Sequence, residues 1–284
     1  CNLHNFKHEI KKFNFKKKYK ILSASNLKKN EIDNKQLNLI DIAPIKSSKG
    51  NFNTKSSKKY ISDSFKVAFK LIKDGFTCKL LNGPINKIKF LDNKHLGVTE
   101  YIAEHFNEKK IGMLIYNKKL SVCPLTTHLP LKLVSKKITK KLILEKIRLI
   151  DSFYKKNFKF KPKIGVTGLN PHCESVLKFN EDKKIVLSAI KSLMIKNINV
   201  KGPFPADTIF LKKNRKNFDV ILGMYHDQVL TPIKTLFEYN AINITMGLPF
   251  LRVSPDHGPN EKMIGKNKST PVSLINALNF LDQK

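Results

Sequence analysis

The chain has 284 residues, 41% of them hydrophobic, and a formal net charge of +32. That is enough apolar material for a sizeable core, in one large α/β domain or in two lobes sharing a sheet. No run approaches the ~18 consecutive apolar residues of a membrane span, and the first residues lack the apolar core of a secretory signal.

The charge does not by itself make a nucleic-acid binder. Of the 54 basic residues only Arg148, Arg215 and Arg252 are arginine, and tryptophan is absent. This bias fits A+T-rich codon usage spread over a solvated surface. Nucleic-acid sites mix arginine with lysine, because the guanidinium fork reads phosphates and guanine edges. The densest run, Lys16-Lys17-Lys18-Tyr19-Lys20, reads as a solvated face. The cysteines Cys1, Cys78, Cys123 and Cys173 show no CxxC spacing, so reduced thiols in a reducing compartment are expected, with Cys78 in the core. The default is a cytoplasmic protein with no nucleic-acid or membrane partner.

Taken in chain order, the elements predict an α/β fold. Residues 44–62, rich in Ser, Lys, Asn and Gly, read as a loop. Residues 62–74 form a helix with Phe65, Ala68 and Ile72 on one face, ended by Gly75. A strand over 76–81 runs into the turn Asn82-Gly83-Pro84. Two strands, 111–116 and 120–125, are joined by Asn117-Lys118-Lys119. A long helix starts at Thr139 as N-cap, with Ile143, Ile147, Ile150 and Tyr154 inward. A strand at 163–167, a helix over 181–195 and strands at 219–224 and 241–246 follow. The last helix has Thr270 as cap, Pro271 at its first position, and Leu274, Ala277, Leu278 and Leu281 inward.

Several strands end in polar clusters. Thr126-Thr127-His128-Leu129-Pro130 follows one, Gly168-Leu169-Asn170-Pro171-His172 another, and Tyr225-His226-Asp227-Gln228 a third. Ligands gather at the carboxyl ends of strands in open α/β sheets, so these histidines are placed to converge. A lone histidine is as a rule a cap or a satisfied core residue. Imidazoles at equivalent strand ends favour a shared divalent cation with positions open to substrate oxygen. His4, His8, His95 and His105 lack such placement and read as surface residues. His257, in Asp256-His257-Gly258, lies in a ligand-facing turn. Lys234, Asn243 and Arg252 form a second cluster. In so lysine-rich a chain, an arginine after Gly247-Leu248-Pro249 points either to carboxylate or phosphate recognition or to a surface salt bridge. No GxGxxG, GxxxxGK[ST] or GxSxG motif supports a Rossmann site, a P-loop or a nucleophile elbow.

In order, the segments Gly83-Pro84-Ile85-Asn86-Lys87, Thr99-Glu100, Thr126–Leu131, Gly168–His172, Gly202–Thr208, Met224–Gln228, Asn243–Pro249 with Arg252, and Asp256-His257-Gly258 resemble the 4-hydroxythreonine-4-phosphate dehydrogenase family. The resemblance runs from about residue 65 to the C-terminus. It implies a fold like isocitrate and isopropylmalate dehydrogenases, with mixed sheets flanked by helices in two lobes, and residues 1–284 as a single catalytic unit. It further implies NAD or NADP as cofactor and one divalent ion (zinc, magnesium, cobalt or manganese). The substrate would be a small phosphorylated hydroxy acid, and the site would be shared across a homodimer.

By position, His128, His172 and His226 match the family's metal ligands, one coming from the partner subunit. Thr99, Lys234, Asn243 and Arg252 match substrate contacts. Asp207 and Asp227 match acidic residues beside the metal, with a catalytic or ligand-orienting role. Asp256, His257 and Gly258 match the cofactor turn. The implied reaction oxidises 4-phosphooxy-threonine and decarboxylates it to 3-amino-2-oxopropyl phosphate in vitamin B6 biosynthesis. The alternatives are a same-fold dehydrogenase of a threonate or erythronate phosphate and, from another class, a basic binding module.

The chain departs from the family pattern at Val98, where a histidine is usual, at Cys173–Leu177, where a glycine-rich stretch is usual, and at Pro259-Asn260. The family's opening strand and its Gly-Asp-Pro-Ala-Gly-Ile-Gly-Pro-Glu loop do not occur. This predicts a fragment beginning about 45 residues in, on the size of one strand, loop and helix.

Overall fold

The computed structural model describes residues 1–25, 27, 31–33, 35–42, 54–91, 95, 97–174, 179–263, 266 and 268–284. Two compact units are present, one of residues 1–78 with 87–92 and one of residues 79–86 with 93–284.

The first unit holds α1 (Leu3–Lys12), β1 (Tyr19–Leu22), β2 (Leu37–Ile40), α2 (Thr54–Lys73) and the short α3 (Lys87–Leu91). Asn2 caps α1 by accepting from the Asn5 amide, and β1 and β2 pair in parallel. Phe65 and Phe69 of α2 are buried, and Phe65 stacks on Phe90 at 5.9 Å between ring centroids. Gly75, at φ +72°, ends the helical run as expected. The helix begins earlier than the sequence indicated, at Thr54; of the loop expected over 44–62, residues 44–53 lie outside the described residues.

The second unit is built on an eight-stranded mixed sheet. In chain order it comprises β3 (Lys79–Leu81), α4 (Val98–His105), β4 (Gly112–Tyr116), β5 (Ser121–Pro124), α5 (Leu131–Lys137), α6 (Lys140–Phe158), β6 (Ile164–Thr167), a π-helical turn over Asp182–Leu187 and α7 (Ser188–Met194). Then come β7 (Val200–Phe204), α8 (Ala206–Ile209), α9 (Lys212–Arg215), β8 (Val220–Gly223), α10 (His226–Phe237), β9 (Ile242–Met246), β10 (Leu251–Pro255) and α11 (Val272–Asp282). The strand order is β3-β10-β9-β4-β5-β8-β6-β7. Strands β5, β8, β6 and β7 run parallel, and β4, β9 and β10 pair antiparallel with their neighbours β5, β4 and β9 respectively.

The parallel strands β5, β6 and β8 are buried along their whole length, as expected of a sheet covered on both faces. One face carries Leu114, Cys123, Val166, Leu222, Ile244 and Val253 against α6, α7 and α11. The other carries Ile115, Val122 and Ile221 against Val229, Leu230 and Ile233 of α10. Thr139 caps α6, its hydroxyl accepting from the Leu142 amide, and Ile143, Ile147, Ile150 and Tyr154 all point inward. Burial of each such large side chain contributes about 1.5–3 kcal/mol.

Two expectations are corrected here. Cys78 is exposed, because its strand starts only at Lys79. In α11 the inward residues are Ser273, Ala277, Phe280 and Leu281, while Leu274 and Leu278 are exposed. This helix is apolar on two faces, so periodicity alone cannot choose between them. The choice is fixed by Ser273, whose hydroxyl donates to the carbonyl of Ala241 at 2.6 Å. No helix among the described residues is long and apolar enough to cross a membrane.

Candidate functional site

The histidine-bearing segments follow the neighbouring parallel strands β5, β8 and β6. Gln228 ties two of them together. Its Oε1 accepts from Thr167 Oγ1 and from the Met224 amide, both at 2.7 Å, and its Nε2 donates to the Gly168 carbonyl at 2.8 Å. A buried amide satisfied at both ends holds the ends of β6 and β8 in one register. Its neighbours in sequence, His226 and Asp227, open α10 at the same point.

His128 and His226 are brought together, with ring centroids 6.0 Å apart. Asp227 Oδ1 lies 2.6 Å from Nδ1 of His226. A carboxylate there favours the proton on Nδ1 and leaves the Nε2 lone pair for a cation. Asp227 is itself exposed. Gly97 caps α4 beside this pair. A Cβ there would meet Glu100 Oε2 at 2.9 Å and His128 Cε1 at 3.4 Å.

His172 occupies an exposed turn with φ +56°, followed by Cys173 at φ +60°. Two successive left-handed residues other than glycine are costly backbone, and Asp182 holds the preceding segment. Its carboxylate is fully buried and accepts from the Leu169 and Asn170 amides at 2.6 and 3.0 Å. Burial, with the negative charge of Asp182 and Asp207, pushes the Cys173 thiol up to about 11. Asp207, exposed on α8, adds to this effect by its charge. Among the described residues, no three His, Cys, Asp or Glu side chains are grouped as a metal site. The chain brings His128 and His226 together, and His172 is not grouped with both.

The second cluster lies on the α10 face of the sheet. Pairing of Ile115 with Asn243, of Asn243 with Ser254 and of Thr245 with Arg252 sets these side chains on one face, since alternate residues of a strand share a side. Arg252 is only 3% exposed, yet its hydrogen bonds go to neutral groups: Asn82 Oδ1 at 2.8 Å, Thr245 Oγ1 at 2.9 Å and Thr99 Oγ1 at 3.4 Å. Burial lowers its pKa to about 10, and the charge of Glu100 opposes the shift. The salt-bridge reading of Arg252 is thereby set aside. Buried Oδ1 of Asn243 and buried Oε2 of Glu100 accept no hydrogen bond. A buried cation held by hydroxyls and an amide leaves its charge open to an anion.

Lys234, on α10, is paired with Asp256 Oδ2 at 2.6 Å and also donates to the Asp256 carbonyl. Burial raises the Asp256 carboxyl above its ordinary value, opposed by Lys234. His257 is half-buried, its Nδ1 3.0 Å from the Gly258 carbonyl, and Gly258 is exposed. Asn82, Thr245, Gln228 and Asp182 were not singled out in the sequence. Thr245 was accessible in principle, two residues beyond Asn243 on one strand. The others depend on contacts distant in sequence.

The sequence model of the family described as "Pyridoxal phosphate biosynthetic protein PdxA" matches residues 3–281. The chain belongs to the PdxA family.

The 4-hydroxythreonine-4-phosphate dehydrogenase of Sulfurihydrogenibium sp. is 39% identical to this PdxA chain over 247 residues, 85% of this chain and 74% of that protein. For further curated relatives of the same name, the share of their own length that is covered lies between 55% and 65%. The crystal structure of the 4-hydroxythreonine-4-phosphate dehydrogenase from Klebsiella pneumoniae superimposes with a TM-score of 0.77 at 26% identity, covering 94% of this chain and 83% of that one. Isocitrate dehydrogenase from Methylococcus capsulatus, 10% identical with a TM-score of 0.50 over 77% of this chain and 70% of that one, is alike in fold alone. The family match begins well before residue 65, so α1, β1 and β2 belong to this PdxA fold although no motif marks them. At the position where a histidine was expected, Val98 is buried at the start of α4.

Proposed function

We propose that this PdxA chain oxidises the secondary alcohol of 4-phosphooxy-L-threonine with NAD or NADP and releases carbon dioxide, giving 3-amino-2-oxopropyl phosphate for pyridoxal 5'-phosphate synthesis. The observation that carries the reading is Arg252, a buried cation bonded to neutral groups beside Thr99 and Asn243. It supports recognition of an anionic substrate of this class. The names of the relatives support the same reaction.

In this reading Arg252, Thr99, Asn243 and Lys234 bind the anionic groups of the substrate. Held from two sides, the reacting carbon presents its hydrogen to the nicotinamide in one orientation. In the turn after β10, His257 and Gly258 border the cofactor. His128 and His226 are suited to a divalent cation such as zinc, magnesium, cobalt or manganese. Their ring centroids lie 6.0 Å apart and Asp227 leaves one Nε2 available. When bound, such an ion supplies a Lewis acid for the substrate's oxygens. His172 would complete the set from the partner subunit of a homodimer, and Asp227, with Asp207, would orient ligand side chains. Residues 1–284 belong to a single catalytic unit, in the cytoplasm.

The test is absorbance at 340 nm with a divalent ion and a panel of four-carbon hydroxy-acid phosphates. Turnover of 4-phosphooxy-threonine ahead of the others is expected. Preference for threonate or erythronate phosphate would transfer the site to that substrate. The buried Val98 motivates this second reading, because it removes a polar contact beside Thr99.

A further inference from the structure

We propose that Asp256 is a positioning residue that aims the Lys234 ammonium at an anionic group of the substrate, rather than a contact for the nicotinamide cofactor. The inference rests on the substrate role given to Lys234 above.

An ammonium carries three donors on a flexible stem, and unless anchored it points in no fixed direction. Here one residue engages Lys234 twice, by a hydrogen bond to the Asp256 carbonyl and by an ion pair with Oδ2 at 2.6 Å. Two contacts from one residue restrict where the amine can point. Asp256 is in turn fixed from behind. Its amide donates to Ser273 Oγ at 2.9 Å, and that hydroxyl donates to the Ala241 carbonyl at 2.6 Å. Ser273 is 1% exposed. The chain of bonds links α10, the turn after β10, α11 and the start of β9, so four elements determine where one amine points. It also explains why α11 buries Ser273 and leaves Leu274 in solvent.

A role in binding the cofactor asks something different of a carboxylate. An acid that holds ribose hydroxyls must keep an open acceptor face. The Asp256 side chain is 10% exposed, and its charge is already matched by Lys234. Burial, which raises its proton affinity, is opposed first of all by that same lysine.

The test is steady-state kinetics of Asp256→Asn, which keeps the carbonyl and the shape but removes the charge. The KM for the phosphorylated hydroxy acid should rise about tenfold or more, with kcat changed far less and the KM for NAD unchanged. Ser273→Ala should move the same constant in the same direction by a smaller factor. A raised KM for NAD with an unchanged substrate KM would overturn the proposal. A second measurement needs no substrate: acetic anhydride labelling of Lys234, read by peptide mass. Lys234 should react more slowly than exposed lysines in the wild type and faster in Asp256→Asn, or in Ser273→Ala should the first variant not fold. Equal rates throughout would overturn the anchoring. If the wild type failed to oxidise 4-phosphooxy-threonine, the functional reading would fall while the labelling still decided the geometry.

Discussion

Asp227 Oδ1 sits 2.6 Å from Nδ1 of His226, while the His226 ring faces that of His128 at 6.0 Å between centroids. One side of the imidazole is committed to a carboxylate and the other keeps its lone pair for a cation. Asp227→Asn should therefore weaken binding of a divalent ion by about 10–100-fold, the usual effect of losing an outer partner of a ligand histidine. Asp207→Asn, whose side chain is exposed on α8, should act through the His172 turn. Isothermal titration with zinc or manganese, alongside turnover, checks both. Unchanged metal affinity and turnover in both variants would remove the orienting role.

Arg252→Ala should abolish substrate saturation, because it removes a buried cation and leaves Asn82 and Thr245 without their donor. Arg252→Lys should recover little, since a point charge cannot reproduce the planar fork that reaches Asn82, Thr245 and Thr99 together. The reading is substrate KM and inhibition by inorganic phosphate. Equal phosphate inhibition in wild type and variants would exclude an anion site there.

Asp182→Ala should destabilise the protein by about 3 kcal/mol or more, since buried amides bonded to a carboxylate lose their partner. The loss should appear as a lower melting temperature and faster hydrogen exchange at Leu169 and Asn170. Gly168→Ala should act at the same place, because its Cβ would lie 2.6 Å from Cys173 Sγ and 3.0 Å from Asp182 Oδ1. Cys173→Ala in the Gly168→Ala background should restore part of the loss.

The Asp256 carboxyl has a raised pKa in the folded chain, mainly through burial. A carboxyl shifted upward costs stability while ionised, and that cost fades as pH falls through its folded pKa towards the ordinary carboxylate range. The stability of wild type relative to Asp256→Asn should therefore improve as pH is lowered from neutral into that range. Melting curves of the two proteins at matched pH values measure it. A difference independent of pH would mean that burial and Lys234 cancel.

If His172 serves the neighbouring subunit, mixing His172→Ala with His226→Ala should rebuild activity. Half of randomly formed dimers are mixed, and each has one intact site, giving about a quarter of wild-type activity. Sedimentation equilibrium establishes the dimer, and a dead mixture of stable dimers would place all the histidines in one chain.

Much of the sheet was legible because its strands are short and apolar and are closed by turn residues. Ile164–Thr167, Val220–Gly223 and Ile242–Met246 fall within a residue of expectation, and Thr139 is the cap of α6. What could not be read is what depends on partners far along the chain. Ser273 rather than Leu274 faces inward because of the Ala241 carbonyl, a bond spanning 32 positions. Likewise the value of Asn82 emerges only where Arg252 reaches it across 170 residues. The histidine segments and Arg252 were visible as composition against a lysine background. That Gln228 stitches two of those segments was not, since a glutamine in a polar cluster looks like any solvated side chain.

The outermost strand of the large sheet, β7, contains Pro203 between Gly202 and Phe204. Proline offers no amide hydrogen, so this rim strand carries an interrupted row of donors. Lys201, exposed on the same strand, adds a charge to that rim. An enzyme carrying eight hydrogen-bonded strands is thus guarded on this side against adding a ninth from a neighbour.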